Sequence, residues 1–394
     1  MKRQIPLYTA LLMAVLTACV SILASFFVMR SASGPISDKA AELEQLMDRY
    51  YVDEIDKTLA SDAVAAAMIE STGDPWSYYI PANDYADYLE SSRNAYVGIG
   101  ITIIAEEATD GFAVISVADG GPASQAGILA GDVLTAVDGR SVVGLTVDEV
   151  RAMIRGEIGT TVTVTVLREG TSVGLVVKRD SIPVEVVSFR MLDDSIGYLR
   201  IDNFETGACS QSLQAISKLL QQGAKALVFD VRLNPGGKKT ELVELLDYLL
   251  PQGVVFRSMD RAGNESESVS DETCLDIPMA VLVNRYSYSA AEFFAAALQE
   301  YNWAYIIGEG TTGKGRYQIV YPMADGSAVG LSSGRYYTPN GKSLDGTGLE
   351  PDLSVSMPEN DLPLLQSGQL SDAEDAQLSA AVDYLQKMLF SEMS

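Results

Sequence analysis

Three short stretches hold the residues whose types and spacing could do covalent chemistry. Leu233, Asn234, Pro235, Gly236 and Gly237 follow an apolar run at 226–231. They form either a plain strand-to-helix turn or a source of bare amides for an oxyanion, since glycine frees backbone N–H groups to turn toward one anion. Ser287, Ser289 and Glu292 stand at the start of an apolar helical run. Ser289 and Glu292 spell the S-x-x-E capping box, which satisfies a helix N-terminus. The same place, beside unpaired N–H groups, also suits a serine nucleophile, and the residues alone leave both roles open. Gly308 to Gly315 match a phosphate-binding loop as far as Lys314, but Gly315 replaces the Ser or Thr that would hold magnesium. The run 316–322 reads as a strand stopped by Pro322, not as the helix such a loop must open.

The 394 residues include no histidine, which removes imidazole acids and bases and most zinc sites. A serine nucleophile here would need another base, and a lysine stripped of water is the side chain best able to become one. Lys314, between Gly313 and Gly315 and shortly after an apolar run, is the candidate; Lys39, Lys57, Lys238 and Lys239 lie in solvated contexts. Its ammonium, ordinarily protonated to about pH 10.4, would have to lose its proton near neutrality. Cys19, Cys209 and Cys274 are too few and scattered for a metal knuckle, so neither metal nor cofactor is expected. With 53 acidic and 28 basic residues the net charge is -25, which disfavours nucleic acid as a partner.

These residues need elements to position them. Strands at 196–201, 226–231, 279–283 and 303–307 alternate with helices at 210–222, 241–250 and 290–299, which predicts an α/β core around a mostly parallel central sheet. Ligands of such sheets gather beyond the strand C-terminal ends, where the three stretches lie. Between Tyr96 and Arg179 the pattern changes to short β-branched runs separated by glycine turns, with one helix at 147–154. Tyr96, Val97, Gly98 and Ile99, followed by Pro122, Ala123, Ala126, Gly127, Gly131 and Asp132, resemble a PDZ domain, whose first loop holds a peptide's terminal carboxylate on backbone amides. Helices are expected near 43–50 and at 61–70. A C-terminal helix, for packing or for a homodimer, is expected after Ser371 and Glu374, with Leu378, Val382, Leu385 and Leu389 at helical spacing.

Lys2 and Arg3 precede an apolar stretch from Leu7 to Met29, long enough at about 1.5 Å per residue to cross a bilayer. The expectation is a single-pass anchor in the cell membrane with the rest of the chain outside the cytoplasm; a cleaved signal peptide and a lipoprotein box ending at Cys19 are the alternatives.

The stretch from Val281 to Tyr301, followed by Ile306 to Asp352, closely resembles the carboxy-terminal processing (tail-specific) proteases, Ser-Lys endopeptidases that pair an α/β core with a PDZ domain. The resemblance implies Ser289 as nucleophile, Lys314 as base, Gln318 as the residue that orients it, and the amides of Ala290 and Gly236 as oxyanion donors. It implies protein or peptide substrates held by a free C-terminus. Departures are Tyr288 and Ala291 in the serine motif and Thr312 before Gly313 and Lys314; Ser287 is the alternative nucleophile. The expected domains are an anchor at 1–32, a helical region at 33–94, the PDZ domain at 95–180, the protease core at 181–368 and a final helix at 369–394. The rival reading is a catalytically silent, membrane-anchored PDZ scaffold that only binds tails.

Overall fold

The apolar runs that alternate along the chain become strands whose two faces are both covered. The structure, a computed structural model, describes Thr17, 34–106, 111–193 and 195–392. The chain divides into two compact units, one up to Tyr79 and one from Ile80 onward.

In the first unit, helices Pro35–Tyr50 and Lys57–Glu70 contain no buried residue. The second helix begins four residues earlier than expected because Asp56 caps it, its carboxylate accepting from the Thr58 and Leu59 amides at 2.9 and 3.0 Å. Lys57 bridges back to Glu44 and Asp48 at 3.0 and 2.9 Å.

The second unit holds the chemistry. Its six-stranded sheet runs in the order Val187–Met191, Ile196–Ile201, Ala226–Asp230, Met279–Val283, Ala304–Gly308 and Leu353–Ser354. The first pair is antiparallel and the others parallel. Alternate side chains feed two cores. Leu199, Leu227, Phe229, Val281 and Ile306 pack on one face against helices Ala208–Gln221, Lys239–Leu249 and Ala290–Glu300. Tyr198, Ala226, Val228, Ala280 and Ile307 pack on the other against Leu378, Ala381 and Leu385 of helix Ala376–Glu392. A sheet covered on both sides explains why strands such as Met279–Val283 are apolar at every position.

Two expectations about the fold are corrected. The sheets are largely antiparallel. The parallel strand pairs described here lie in the sheet just given, where helices provide the crossovers, and Phe204 makes an isolated parallel bridge to Gly237. The hairpins Gly253–Asp260 with Glu265–Ser270 and Arg316–Pro322 with Ala328–Tyr337 form an antiparallel sheet, and the PDZ-like sheet is antiparallel throughout. Among the described residues, no helix is long and apolar enough to cross a membrane; the run 7–29 that suggested one lies, Thr17 apart, outside them.

The β-rich module contains strands Ile101–Glu106, Gly111–Val117, Val133–Val137, Thr161–Arg168 and Thr171–Lys178 with helices Pro122–Ala126 and Val147–Ile154. A ribbon of Ala95–Gly98 with Asp180–Pro183 closes it where the chain enters and leaves. Asp132 is held by Arg168 through bonds of 2.7 and 2.6 Å, which keep its carboxyl below the ordinary range against the opposing effect of burial.

The end of the central sheet is tied to the last helix by a buried ion cluster. Arg232, 1% exposed, bonds Asp230 at 2.9 and 2.5 Å, Asp375 at 3.0 and 2.7 Å, and Gln377 at 3.0 Å. Burial alone would raise the Asp230 carboxyl, but Arg232 and the Tyr198 hydroxyl outweigh it and hold it below its usual range. Asp375 also caps the helix, its Oδ1 accepting from the Gln377 and Leu378 amides at 3.1 and 3.0 Å. The expected Ser371–Glu374 pair does bond, side chain to side chain at 2.6 Å, but forms a turn one step before the helix. Arg232→Ala would leave two buried carboxylates facing each other, at a cost of about 3 to 5 kcal/mol. The expected outcome is loss of hydrogen-exchange protection across 376–392; unchanged protection would contradict it.

Candidate active site

Strands Ala226–Asp230, Met279–Val283 and Ala304–Gly308 are neighbours, so the loops that leave their C-terminal ends meet. Backbone and side-chain bonds stitch them together. Asn284 Oδ1 accepts from the Leu233 and Tyr286 amides, both at 3.1 Å, and the Tyr288 amide donates to the Asn234 carbonyl at 3.1 Å. From the third loop, the Thr312 amide donates to the Ser287 carbonyl at 3.2 Å and its hydroxyl to the Arg285 carbonyl at 2.8 Å.

This stitching consumes Ser287. Its hydroxyl donates to the Val231 carbonyl at 2.7 Å and accepts from the Asn284 amide at 3.0 Å, fully buried. Both of its capacities are used in holding two loops together.

Ser289 differs in every respect. It precedes helix Ala290–Glu300, whose residues 290–298 are buried all round, so the helix is fixed by packing rather than by its cap. Its backbone lies at φ 57°, ψ −126°, and its hydroxyl makes no capping hydrogen bond. A capping residue ordinarily takes extended angles, as Thr146 does at φ −80°, ψ 162°. A positive φ at a non-glycine costs on the order of 1–3 kcal/mol and persists only where the surroundings impose it. The resulting sharp turn leaves the side chain 7% exposed at the helix N-terminus.

Gly236 lies against this turn. Its φ is +88°, and a Cβ there would stand 2.7 Å from Ser289 Cβ and 2.8 Å from the Ala290 nitrogen. Glycine is therefore required, and the loop backbone and the serine are in contact. The Gly236 amide itself donates to Asn234 Oδ1 at 2.8 Å, while Asn234 Nδ2 donates to the Ile201 carbonyl at 2.8 Å.

Glu292 joins the serine loop to the lysine loop. Completely buried, its Oε2 accepts from the Ser289 amide at 2.9 Å and the Lys314 amide at 2.8 Å. Its Oε1 accepts from the Gly313 amide at 2.6 Å and the Thr311 hydroxyl at 2.5 Å. Gly313, at φ +88° and with the Gly348 nitrogen 2.8 Å from any added Cβ, admits no side chain. Lys314 thus enters with its backbone fixed by the same carboxylate that fixes Ser289, and its ammonium lies 5.7 Å from the centroid of the Tyr288 ring. Burial raises the Tyr288 phenol above its ordinary value.

Gln318 lies on strand Arg316–Pro322, with its amide donating to Ser332 Oγ at 3.0 Å and the Arg316 carbonyl at 3.3 Å. Lys314 precedes this strand, whose pairing shifts register between Tyr317 and Gln318. Asn234 and Glu292 are the organising residues that sequence reasoning missed. The only local signals were an asparagine in a glycine turn and a glutamate at the third helical position.

Tyr96, Val97 and Gly98 lie on the closing ribbon, and Ile99 is buried in the β-rich core. They lead into a groove of about 290 Å³ between strand Ile101–Glu106 and helix Val147–Ile154, lined by Ile99, Ile101, Ile103, Val147 and Ile154. Among the described residues no cluster of acidic or cysteine side chains could hold a metal ion.

Residues 195–355 match peptidase family S41, and residues 114–168 match the PDZ domain family. The chain is 33% identical to the carboxy-terminal processing protease CtpA of Bacillus subtilis, over 99% of this chain and 85% of that protein. It is 34% identical to a carboxy-terminal-processing protease of Bartonella bacilliformis, over 80% of this chain and 74% of that protein. Among solved structures, the photosystem II D1 C-terminal processing protease is 28% identical, over 84% of this chain and 91% of its own, with a TM-score of 0.47. The chain therefore belongs to the carboxy-terminal processing proteases, PDZ-containing serine proteases of peptidase family S41.

Proposed function

We propose that Ser289 is the nucleophile, that Lys314 is its general base, and that substrates are proteins whose free C-terminus lies in the PDZ groove. The observation that carries this is the left-handed backbone of Ser289 with its hydroxyl left out of the helix cap. It speaks against the capping role that the sequence left open, as the two structural bonds of the Ser287 hydroxyl speak against that residue.

In the proposed cycle, neutral Lys314 Nζ takes the Ser289 Oγ proton as Oγ bonds to the scissile carbonyl carbon. The oxygen that gains charge turns toward the Ala290 amide at the helix N-terminus, where the peptide dipoles also favour it. The Gly236 amide is the second donor once it leaves Asn234 Oδ1. The tetrahedral intermediate then breaks its C–N bond, the Lys314 ammonium returns its proton to the departing amine, and water releases the acyl group from Ser289 by the same sequence. Gln318 is proposed to orient Lys314, which requires its amide to exchange its present partners for the lysine. The apolar groove lining suits a peptide with aliphatic side chains at alternate positions.

The full chain should cleave a peptide with a free C-terminus faster than the same peptide amidated at that end, with the difference in KM. Equal cleavage of the two would overturn the tail-recognition part. We also propose that the protease works outside the cytoplasm, a reading supported by Lys2 and Arg3 ahead of the apolar run 7–29. A homodimer is supported by the exposed Leu43, Leu46 and Tyr50 of the first helix.

A further inference from the structure

The loop that the tail-recognition reading assigns to a terminal carboxylate already holds one. The Val97 amide donates to Glu90 Oε1 at 3.3 Å. Glu90 belongs to helix Ala82–Ser92, outside the β-rich module. At the same end of the groove stands Arg155, just past helix Val147–Ile154 and among the lining residues. Its guanidinium lies 3.6 Å from Glu90 Oε2 and 3.7 Å from Asp87 Oδ1. One internal carboxylate thus spans a backbone amide of the loop and the cation beside it.

We propose that the Val97 amide and Arg155 form the subsite for the substrate's terminal carboxylate, and that Glu90 occupies it until a tail displaces it. This rests on the tail-recognition reading. The three contacts are all long, so each is weak and readily exchanged. A tail carboxylate takes over both partners, so displacement strands neither the amide nor the guanidinium, and the partly exposed Glu90 carboxylate is released toward water. A tail adds what Glu90 cannot: apolar side chains against Ile99, Ile101, Val147 and Ile154, and main-chain pairing with strand Ile101–Glu106. Glu90 therefore acts as an internal competitor, which admits tails that also fill the groove and turns away bare carboxylates.

The test is peptide binding by fluorescence anisotropy, with the full chain carrying Ser289→Ala so that cleavage does not intervene. The probe is a peptide with an aliphatic last residue, free or amidated at its C-terminus. Glu90→Gln should tighten binding of the free acid about fivefold and leave the amide unchanged. Arg155→Ala should weaken the free acid about tenfold, again without effect on the amide, and Arg155→Lys should restore part of the loss. If the parent distinguishes acid from amide but Glu90→Gln changes neither, or tightens both equally, the occupancy by Glu90 is overturned alone. If the parent binds acid and amide equally, tail recognition fails and this proposal fails with it. Glu90 and Arg155 are both partly exposed, and matching thermal unfolding curves would confirm that the fold is intact.

Discussion

Ser289→Ala is expected to lower kcat on a cleavable tail peptide by at least about 10⁴-fold, Lys314→Ala by a similar factor, and the double substitution by no more than either alone. Nucleophile and base act in one step, so once either is gone the other has nothing left to contribute. What remains is peptide binding and the amide of Ala290, which act without the serine. The informative variant is Lys314→Arg. It keeps a long cationic side chain, and so would preserve a purely electrostatic or packing role against the Tyr288 ring. A guanidinium stays protonated at any working pH and cannot take the serine proton, so activity should be lost as fully as with alanine. Activity within about tenfold of the parent in Lys314→Arg would remove the lysine from the base role. Peptide affinity should be unchanged in all of these variants, because the groove is built from other residues.

How far such conclusions could be read from the chain alone depends on whether the signal was local. Met279–Val283 is apolar at every position and Ala226–Asp230 at every position but its last, and their strands and the loops after them were legible. Lys314 stood out by elimination in a chain without histidine. The pairing direction was not legible, because the Gly253–Asp260 and Ala328–Tyr337 strands enter a separate antiparallel sheet that their own side chains do not announce. Gln318 came from the resemblance alone, and the register shift one residue before it has no mark in the residues around it. Ser371 and Glu374 matched a helix start while Asp375 performs it, since Arg232, which fixes Asp375, comes from the end of a strand and the loop after it some 140 positions upstream. Ser289 shows the limit most plainly. A cap and a nucleophile share the same residue type and the same place, and the backbone angles on which the proposed reading rests are not written in the residues around it.

Glu292 extends that point to the residue on which the second large effect is expected. It reads as the partner half of a capping box, and it does bond the Ser289 amide. Its other oxygen contacts are with Thr311, Gly313 and Lys314 some twenty residues on, so one buried carboxylate sets the spacing between the backbones of Ser289 and Lys314. Glu292→Ala would strand three backbone N–H groups and a hydroxyl in a closed site, at about 1–3 kcal/mol for each group that water cannot reach. Both stability and turnover should fall. Glu292→Gln is the sharper probe, since it keeps the volume. Its amide nitrogen must face either the Ser289 and Lys314 amides or the Gly313 amide and Thr311 hydroxyl, and in both orientations donor meets donor. The expected result, measured well below the unfolding temperature, is a fall in kcat of about 10²-fold with KM unchanged, because an ångström of misplacement between reacting groups costs that much. A purely structural role would instead lower the unfolding temperature and leave kcat of the folded fraction at the parent value. That pattern would show that Glu292 caps its helix and does nothing to hold Lys314 toward Ser289.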